Sequence, residues 1–217
     1  MINAKKVSKD YRYRGAVIRV LSDVNLQVER GEVLLLRMPS GTGKSTLLNI
    51  IGGMLTPTEG SIVIDGEDIA RLPQRLLSNY RRHKIGFVFQ QFNLIGGFSV
   101  MENLLLPLIP EGGRLREAEK YASKLLERVG MSHRASFDVM LLSGGEQQRV
   151  ALARALMGAP DVIIADEPFS NLDPGNVSLI FDIFREQKER GCTFLLSATS
   201  PLPEEGRGFV DREVLQW

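Results

Sequence analysis

The sequence has few of the features that mark secreted, membrane-spanning or nucleic-acid-binding proteins. Its single cysteine, Cys192, has no partner for a disulfide within the chain, which fits a reducing compartment. Residues 1–6 lack the apolar segment of a signal peptide, and no apolar run approaches the roughly 20 residues that cross a bilayer. The 27 lysines and arginines nearly balance the 26 aspartates and glutamates, so the net charge attracts neither nucleic acid nor anionic lipid. These absences predict a soluble, cytoplasmic protein without a nucleic-acid partner.

The composition is typical of one globular domain. Hydrophobic residues make up 43% of the 217 residues, enough for a sizeable core, and we predict a single domain over residues 1–217. The basic cluster at residues 81–84 is typical of the solvated end of a helix.

The segment at residues 37–46 has the pattern of a phosphate-binding loop. It follows an apolar run at residues 33–36 that predicts a buried strand, and it leads into a helix predicted from about Lys44 to Ile51. A glycine-rich turn in this place points successive backbone N–H groups into one hollow, at the positive end of the helix dipole. Lys44 adds a positive charge for the β- and γ-phosphates of a nucleotide, and the Ser45 hydroxyl is suited to ligate Mg²⁺.

Met38 departs from this pattern because it stands where the first glycine belongs. The amides aimed at the β-phosphate come mainly from residues after Ser40, and Gly41 and Gly43 are both present there. We therefore expect Mg-ATP to bind, with the Met38 side chain in the neighbouring core. That arrangement requires a backbone conformation open to residues with a side chain.

Two adjacent acids, Asp166 and Glu167, follow a second predicted buried strand at residues 162–165. Ligands bind at the carboxyl edge of the sheet in open α/β folds. Asp166 is suited to hold Mg²⁺ through water, and Glu167 to orient or deprotonate an attacking water. A solvated strand end is the alternative, and the phosphate loop earlier in the chain favours the catalytic interpretation.

A capping box at residues 143–146 predicts the start of a helix, with Ser143 as the cap and Glu146 as its partner. A cap alone does not explain Gly144 and Gly145, because glycines in a first turn cost helix stability. An open helix N-terminus is a second anion site. Two phosphate sites in one small chain suggest a nucleotide shared between two copies.

The order of predicted elements indicates an α/β fold. Strands and helices alternate around the phosphate loop and again after residue 161, which predicts a P-loop NTPase core with a parallel sheet and right-handed crossovers. Strands before the loop form a predicted N-terminal antiparallel β-subdomain. Residues near 92–157 form a predicted helical subdomain inserted into the sheet, with one of its helices opened by a capping box at residues 99–102.

Together these motifs resemble the ATP-binding subunits of ABC transporters, from about Val7 to Leu215. The signature of that family is Leu-Ser-Gly-Gly-Glu, which stands here at residues 142–146. Gln90 matches the family's Q-loop, residues 170–173 match its D-loop, and Tyr11 matches the aromatic residue that stacks on adenine. Tyr13 is the competing choice for that role. The sequence of residues 86–95 resembles that of the lipoprotein-release and macrolide-efflux branch of the family.

The resemblance implies a head-to-tail dimer, homomeric or heteromeric, that closes on two molecules of Mg-ATP and drives a transmembrane permease. The protein would then sit on the inner face of the cell membrane through that permease. The implied nucleotide-binding residues are Tyr11, Ser40, Gly41, Thr42, Gly43, Lys44, Ser45, Thr46, Ser143, Gly144 and Gly145. The implied metal ligands are Ser45, Gln90 and Asp166, and the implied catalytic residues are Glu167, Gln90 and Thr199.

Thr199 marks a departure from the family, which has a histidine at that position. The two histidines of the chain, His83 and His133, do not replace it by position. The chain also leaves room for only a short closing strand after residue 211. The alternative function is therefore a nucleotide-dependent clamp or regulatory subunit that hydrolyses ATP poorly. An ABC protein acting on DNA or ribosomes is a third class, but its coiled-coil insertions or fused second copy are absent here.

Overall fold

The computed structural model describes residues 2–111, 115–170 and 172–217. The strands are β1 (Ile2–Tyr13), β2 (Ala16–Val28), β3 (Val33–Arg37), β4 (Glu59–Ile64), β5 (Glu67–Asp68), β6 (Ile85–Val88), β7 (Val162–Asp166), β8 (Thr193–Ala198) and β9 (Arg212–Val214). The α-helices are α1 (Lys44–Ile51), α2 (Gln74–Lys84), α3 (Val100–Leu105), α4 (Leu115–Arg128), α5 (Gly144–Leu156) and α6 (Pro174–Glu189).

A parallel sheet forms the centre of the fold, with the strand order β6-β7-β8-β3-β9. All of its neighbouring strands pair in parallel. Its inner strands are mainly apolar because both faces of the sheet are covered. The predicted α/β fold with a parallel sheet is confirmed, and its edge strand β9 has three residues.

The N-terminal strands form a separate antiparallel sheet, with the order β2-β1-β4-β5. The hairpin between β4 and β5 turns at Asp65 and Gly66, and it pairs Val63 with Asp68 and Ile64 with Glu67. The predicted antiparallel β-subdomain is therefore confirmed, and it extends past the phosphate loop to include β4 and β5.

The helices α3, α4 and α5 lie between β6 and β7 in the chain. Both predicted capping boxes are present, at Ser99 with Glu102 and at Ser143 with Glu146. The boundaries of the helical subdomain, residues 92–157, stay a prediction. None of the described helices is long and apolar enough to cross a membrane.

The basic cluster lies in the last turn of α2, as predicted for a helix end. It is solvated only in part. Arg81 donates to the Gly53 carbonyl at 2.7 Å, and Arg82 donates to the Pro107 carbonyl at 2.7 Å. These bonds tie α2 to the segments after α1 and after α3.

The core consists of two clusters on opposite faces of the parallel sheet. Alternate residues of β3 divide between them: Val33 and Leu35 face the cluster with α5 and α6, while Leu34 and Leu36 face the cluster with α1 and the antiparallel sheet. This division follows from the period of two in a strand. Both faces of β3 are thus fixed by packing, and the loop that follows it leaves the sheet at a defined position.

The close approach of β6 to α5 gives a first prediction. An added Cβ at Gly86 would lie 2.5 Å from the Ala155 carbonyl oxygen and 2.9 Å from the Pro160 Cγ. Gly86→Ala should therefore lower the free energy of unfolding by about 1–3 kcal/mol, the usual cost of overpacking, as measured by urea denaturation. Gly144→Ala is the matched control, because nothing lies within 4 Å of its added Cβ. Equal stability of the two variants would contradict the packing.

Candidate nucleotide-binding site

The phosphate loop joins β3 to α1 and is shaped by two glycines in the left-handed region. Gly41 has a φ of 81° and Gly43 a φ of 91°, a conformation that glycine adopts without strain. Gly43 also packs tightly, since an added Cβ would lie 2.6 Å from the Leu21 Cδ2. The loop therefore lies against β2 in a conformation that only glycine allows at this point.

The backbone N–H groups of residues 40–46 have no hydrogen-bond acceptor in the part of the chain that the structure describes. Gly43 caps α1 without any side-chain hydrogen bond, and the first bond of the helix runs from the Leu47 N–H to the Gly43 carbonyl. A row of unbonded N–H groups at a helix N-terminus is an anion site. These unbonded N–H groups have the arrangement that the predicted phosphate hollow requires, and phosphate binding here stays a prediction.

Lys44 lies within the loop rather than in solvent. Its side chain is buried, and its ammonium donates to the Met38 carbonyl at 2.8 Å and to the Pro39 carbonyl at 3.0 Å. An ammonium has three N–H donors, so one is left for a phosphate oxygen. The Met38 and Pro39 carbonyls therefore hold the positive charge of Lys44 at the loop.

The Met38 side chain is 2% exposed and packs in the core cluster with α1. Its φ is not positive, and its N–H donates to the Ala198 carbonyl at 3.2 Å. The expectation that this side chain lies in the neighbouring core is confirmed, and the residue continues the strand rather than the turn.

The acid pair lies at the end of β7, next to the end of β8. The Ser197 hydroxyl donates to the buried Asp166 carboxylate and accepts the Glu167 N–H at 3.0 Å. The Thr199 hydroxyl lies 3.4 Å from the Glu167 Oε2 and donates to it. The structure thus brings Asp166, Glu167 and Thr199 together, while His83 lies in α2 and His133 in a short turn after α4.

These residues fit a magnesium ion bound with a nucleotide. Only one oxygen of Asp166 has a hydrogen-bond partner among the described residues, so the other is open to a metal or its water. The Ser45 hydroxyl and the Asp166 carboxylate supply oxygen atoms, which are the ligands that Mg²⁺ prefers. Among the described residues no group of three or more histidines, cysteines or acids could hold a metal ion, so ligands beyond the predicted Ser45, Gln90 and Asp166 would come from phosphates and water.

Gln90 is exposed in the turn that follows β6. Two and three residues further on, Phe92 and Asn93 have positive φ values of 57° and 50°. Their carbonyls accept from Arg154 at 2.6 Å and 2.5 Å, and burial lowers the pKa of Arg154 to about 10. The turn after Gln90 is therefore fixed to the C-terminal half of α5.

Both candidate aromatic residues for adenine are exposed on β1. Tyr11 is 40% exposed and has the Lys9 ammonium 5.4 Å from its ring centre, while Tyr13 is 59% exposed beside Arg14. The choice between them stays open.

Ser143 and Glu146 form a complete capping box at the start of α5. The Ser143 N–H donates to the Glu146 carboxylate at 2.8 Å, which is the first cause of a lowered pKa of Glu146. Gly145 has a packing reason, because an added Cβ would lie 2.6 Å from the Asn176 Nδ2, whereas Gly144 faces open space. Asn171, in the predicted D-loop, lies outside the described residues.

The two predicted phosphate sites are not joined by hydrogen bonds within the described part of one chain. Among the described residues no hydrogen bond joins the loop at residues 40–46 to Ser143, Gly144 or Gly145. An anion site that each copy completes only in part is the arrangement expected of a nucleotide shared between copies.

A profile of the ABC transporter family matches residues 21–170. The chain belongs to the ABC transporter family. Its relatives include the lipoprotein-releasing system ATP-binding protein LolD 1 of Rhodopseudomonas palustris, which is 48% identical over 179 residues that cover 82% of this chain and 79% of that protein. LolD 1 of Caulobacter vibrioides is 43% identical over 198 residues, covering 90% and 85%.

Among solved structures, the dimeric ATP-binding cassette MJ0796 bound to ADP and Pi matches with a TM-score of 0.87 and 40% identity, covering 92% of this chain and 88% of that one. The ABC resemblance drawn from the motifs is confirmed, and the LolD relatives agree with the lipoprotein-release branch. This ABC protein is accordingly an ATP-binding subunit of a family of ATPases.

Sequence reasoning missed two residues of this ABC site, Ser197 and Arg154. Ser197 lies on a buried strand, and only its position two residues before Thr199 gave a signal. Arg154 lies on α5 after the signature. In an amphipathic helix an arginine is expected on the solvent-facing side, so no sequence signal indicated its contacts with the turn after Gln90.

The contacts of Ser197 give a second prediction. Ser197→Ala leaves the buried Asp166 carboxylate and the Glu167 N–H with one partner fewer, which should cost about 1–3 kcal/mol of stability. Ser123→Ala is the control, because Ser123 is exposed on α4 and, among the described residues, its hydroxyl bonds only to the Glu119 carbonyl. Thermal unfolding measures the difference. A Ser197→Ala variant as stable as Ser123→Ala would show that the hydroxyl does not hold the acid pair.

Proposed function

We propose that this chain is the ATPase subunit of an ABC-type membrane complex, which closes as a dimer on Mg-ATP and couples hydrolysis to export or extraction by a transmembrane partner. The observation that supports it most is the row of unbonded N–H groups at residues 40–46. This row lies with Lys44 at the same sheet edge as Asp166, Glu167 and Thr199.

The loop residues bind the nucleotide in this proposal. Residues 40–46 donate their N–H groups to the phosphate oxygens, and Lys44 gives its free N–H and its charge. Ser45, Asp166 and Gln90 are the proposed magnesium ligands. They would hold Mg²⁺, which would supply positive charge to neutralise the charge that develops on the phosphates. Tyr11, with Tyr13 as the alternative, stacks on the adenine.

Glu167 is the proposed general base. Its backbone is fixed by the Ser197 hydroxyl, so its carboxylate is presented at the strand end beside Asp166. The carboxylate orients an attacking water and accepts its proton as the water oxygen bonds to the γ-phosphorus. The bond from that phosphorus to the β–γ bridging oxygen breaks, and ADP is the leaving group. Thr199 donates one hydroxyl hydrogen bond to this carboxylate and offers no positive charge to the phosphate.

The second phosphate site comes from another copy. In this proposal Ser143, Gly144 and Gly145 of one chain contact the phosphates held by residues 40–46 of the other. The solved relative MJ0796, bound to ADP and Pi, is dimeric. Closure on ATP then follows from a higher affinity of ATP for the closed dimer than for the open one.

The permease is proposed to dock in a groove of about 460 Å³ between α2, β6 and α5. Its lining includes Phe87 and Phe89, which stack at 4.2 Å, and three arginines, Arg81, Arg82 and Arg154. An apolar floor with cationic groups fits a short helix that carries acidic residues. The turn after Gln90 lies at this groove through Asn93, which links the groove to the proposed magnesium site.

Dimerisation tests the proposal directly. Glu167→Gln removes the base and keeps the nucleotide contacts, so Mg-ATP should produce a larger dimer fraction than in the wild type, as measured by light scattering. Lys44→Ala should stay monomeric because it lacks a main phosphate contact. Ser143→Arg in the Glu167→Gln background should also stay monomeric. If that double variant dimerises as well as Glu167→Gln, the shared site is wrong.

The Thr199 hydroxyl favours the second candidate, a clamp that hydrolyses ATP poorly. Loss of one positioned donor costs on the order of 10²–10³ in rate, so the isolated wild type should turn over slowly. Thr199→His should raise steady-state phosphate release about tenfold or more, and Thr199→Ser should leave it unchanged. Fast wild-type turnover that does not respond to Thr199→His would show that the missing histidine is irrelevant here.

A further inference from the structure

The sole tryptophan of the chain contacts the phosphate loop. The Trp217 indole N–H donates to the Thr42 carbonyl at 2.8 Å. Two other contacts bring the segment to this place. Val214 pairs with Leu36, so β9 runs parallel to β3, and Glu213 accepts from Arg37 at 2.9 Å. Both strands therefore point toward the loop.

The acceptor of this bond, the Thr42 carbonyl, belongs to the Thr42–Gly43 peptide of the phosphate loop. The peptide bond is planar and trans, so its C=O and N–H groups point in opposite directions. Holding the Thr42 carbonyl toward Trp217 therefore turns the Gly43 N–H away from the indole. That N–H has no acceptor among the described residues.

The Thr42–Gly43 peptide is poorly fixed by its own neighbours. Gly41 and Gly43 lie on either side of Thr42 with φ values of 81° and 91°, and glycine offers little resistance to rotation of a peptide plane. The Thr42 side chain bonds to the Pro39 carbonyl at 3.0 Å, which fixes the side chain and leaves the carbonyl to another donor. Among the described residues Trp217 is the donor to that carbonyl.

We propose that Trp217 is a positioning residue of the nucleotide site, which holds the Thr42–Gly43 peptide in the orientation that presents the Gly43 N–H to a phosphate oxygen. This inference rests on the proposed function. The ligand group concerned is a phosphate of the nucleotide, because the oriented N–H is a phosphate donor and the indole acts only through the loop.

Trp217→Phe keeps a ring and removes the N–H. Loss of this single neutral hydrogen bond should raise the Kd for a fluorescent ATP analogue with Mg²⁺ about 3- to 10-fold. The KM for ATP should rise by a similar factor while kcat stays within about twofold, since uniform binding is lost. Trp217→Leu should give the same affinity loss, because it too lacks the donor.

Leu215→Ala is the matched control, since Leu215 is exposed in the same segment and makes no described hydrogen bond to the loop. Its Kd should equal that of the wild type. A wild-type Kd in Trp217→Phe overturns the inference. If Trp217→Leu then has a raised Kd, the effect comes from packing of the ring and not from the indole N–H. If the wild type binds the analogue no better than Lys44→Ala, the proposed function fails as well.

Discussion

The parallel pairing of β3, β7 and β8 is the constraint on which the site depends. Because parallel strands end at one edge, the pairs Arg37–Ala198 and Asp166–Ser197 place the phosphate loop beside the acid pair. β8 lies between the other two strands and contacts both of them. Its Ala198 carbonyl accepts the Met38 N–H, and its Ser197 hydroxyl bonds to Asp166. A strand without charged residues thus aligns the two charged segments.

Glu167 shows how this alignment is stabilised. Its φ of 48° is unusual for a residue with a side chain, and such a conformation costs about 1–3 kcal/mol. Its N–H donates to the Ser197 hydroxyl, and its carbonyl accepts from both the N–H and the hydroxyl of Ser170. Hydrogen bonds on both sides of the residue therefore offset the strain. The carboxylate leaves a fixed turn rather than a flexible strand end.

The parts of the fold that the sequence predicted are those with a local signal. Each capping box, at Ser99 and at Ser143, has its partner three residues further on. The glycines of the phosphate loop determine the backbone conformation of their own turn. The helix α2 had no such signal, since it buries one residue and begins without a side-chain cap. Contacts of Ser197, Arg154 and Trp217 join residues 31, 61 and 175 positions apart. No sequence period indicates partners at such separations, because the sheet order decides them.

Of the two glycines at the start of α5, the fold requires Gly145 and does not require Gly144. Gly145 lies against Asn176, so its lack of a side chain is explained by packing, whereas Gly144 has open space around it and no positive φ. Gln148, one turn later and buried, donates to the Pro168 carbonyl at 2.8 Å. The open face at Gly144 is thereby held at a fixed distance from the acid pair of its own chain. The N-terminal part of α5 is therefore tied by a hydrogen bond to the residue that follows Glu167 in the same chain.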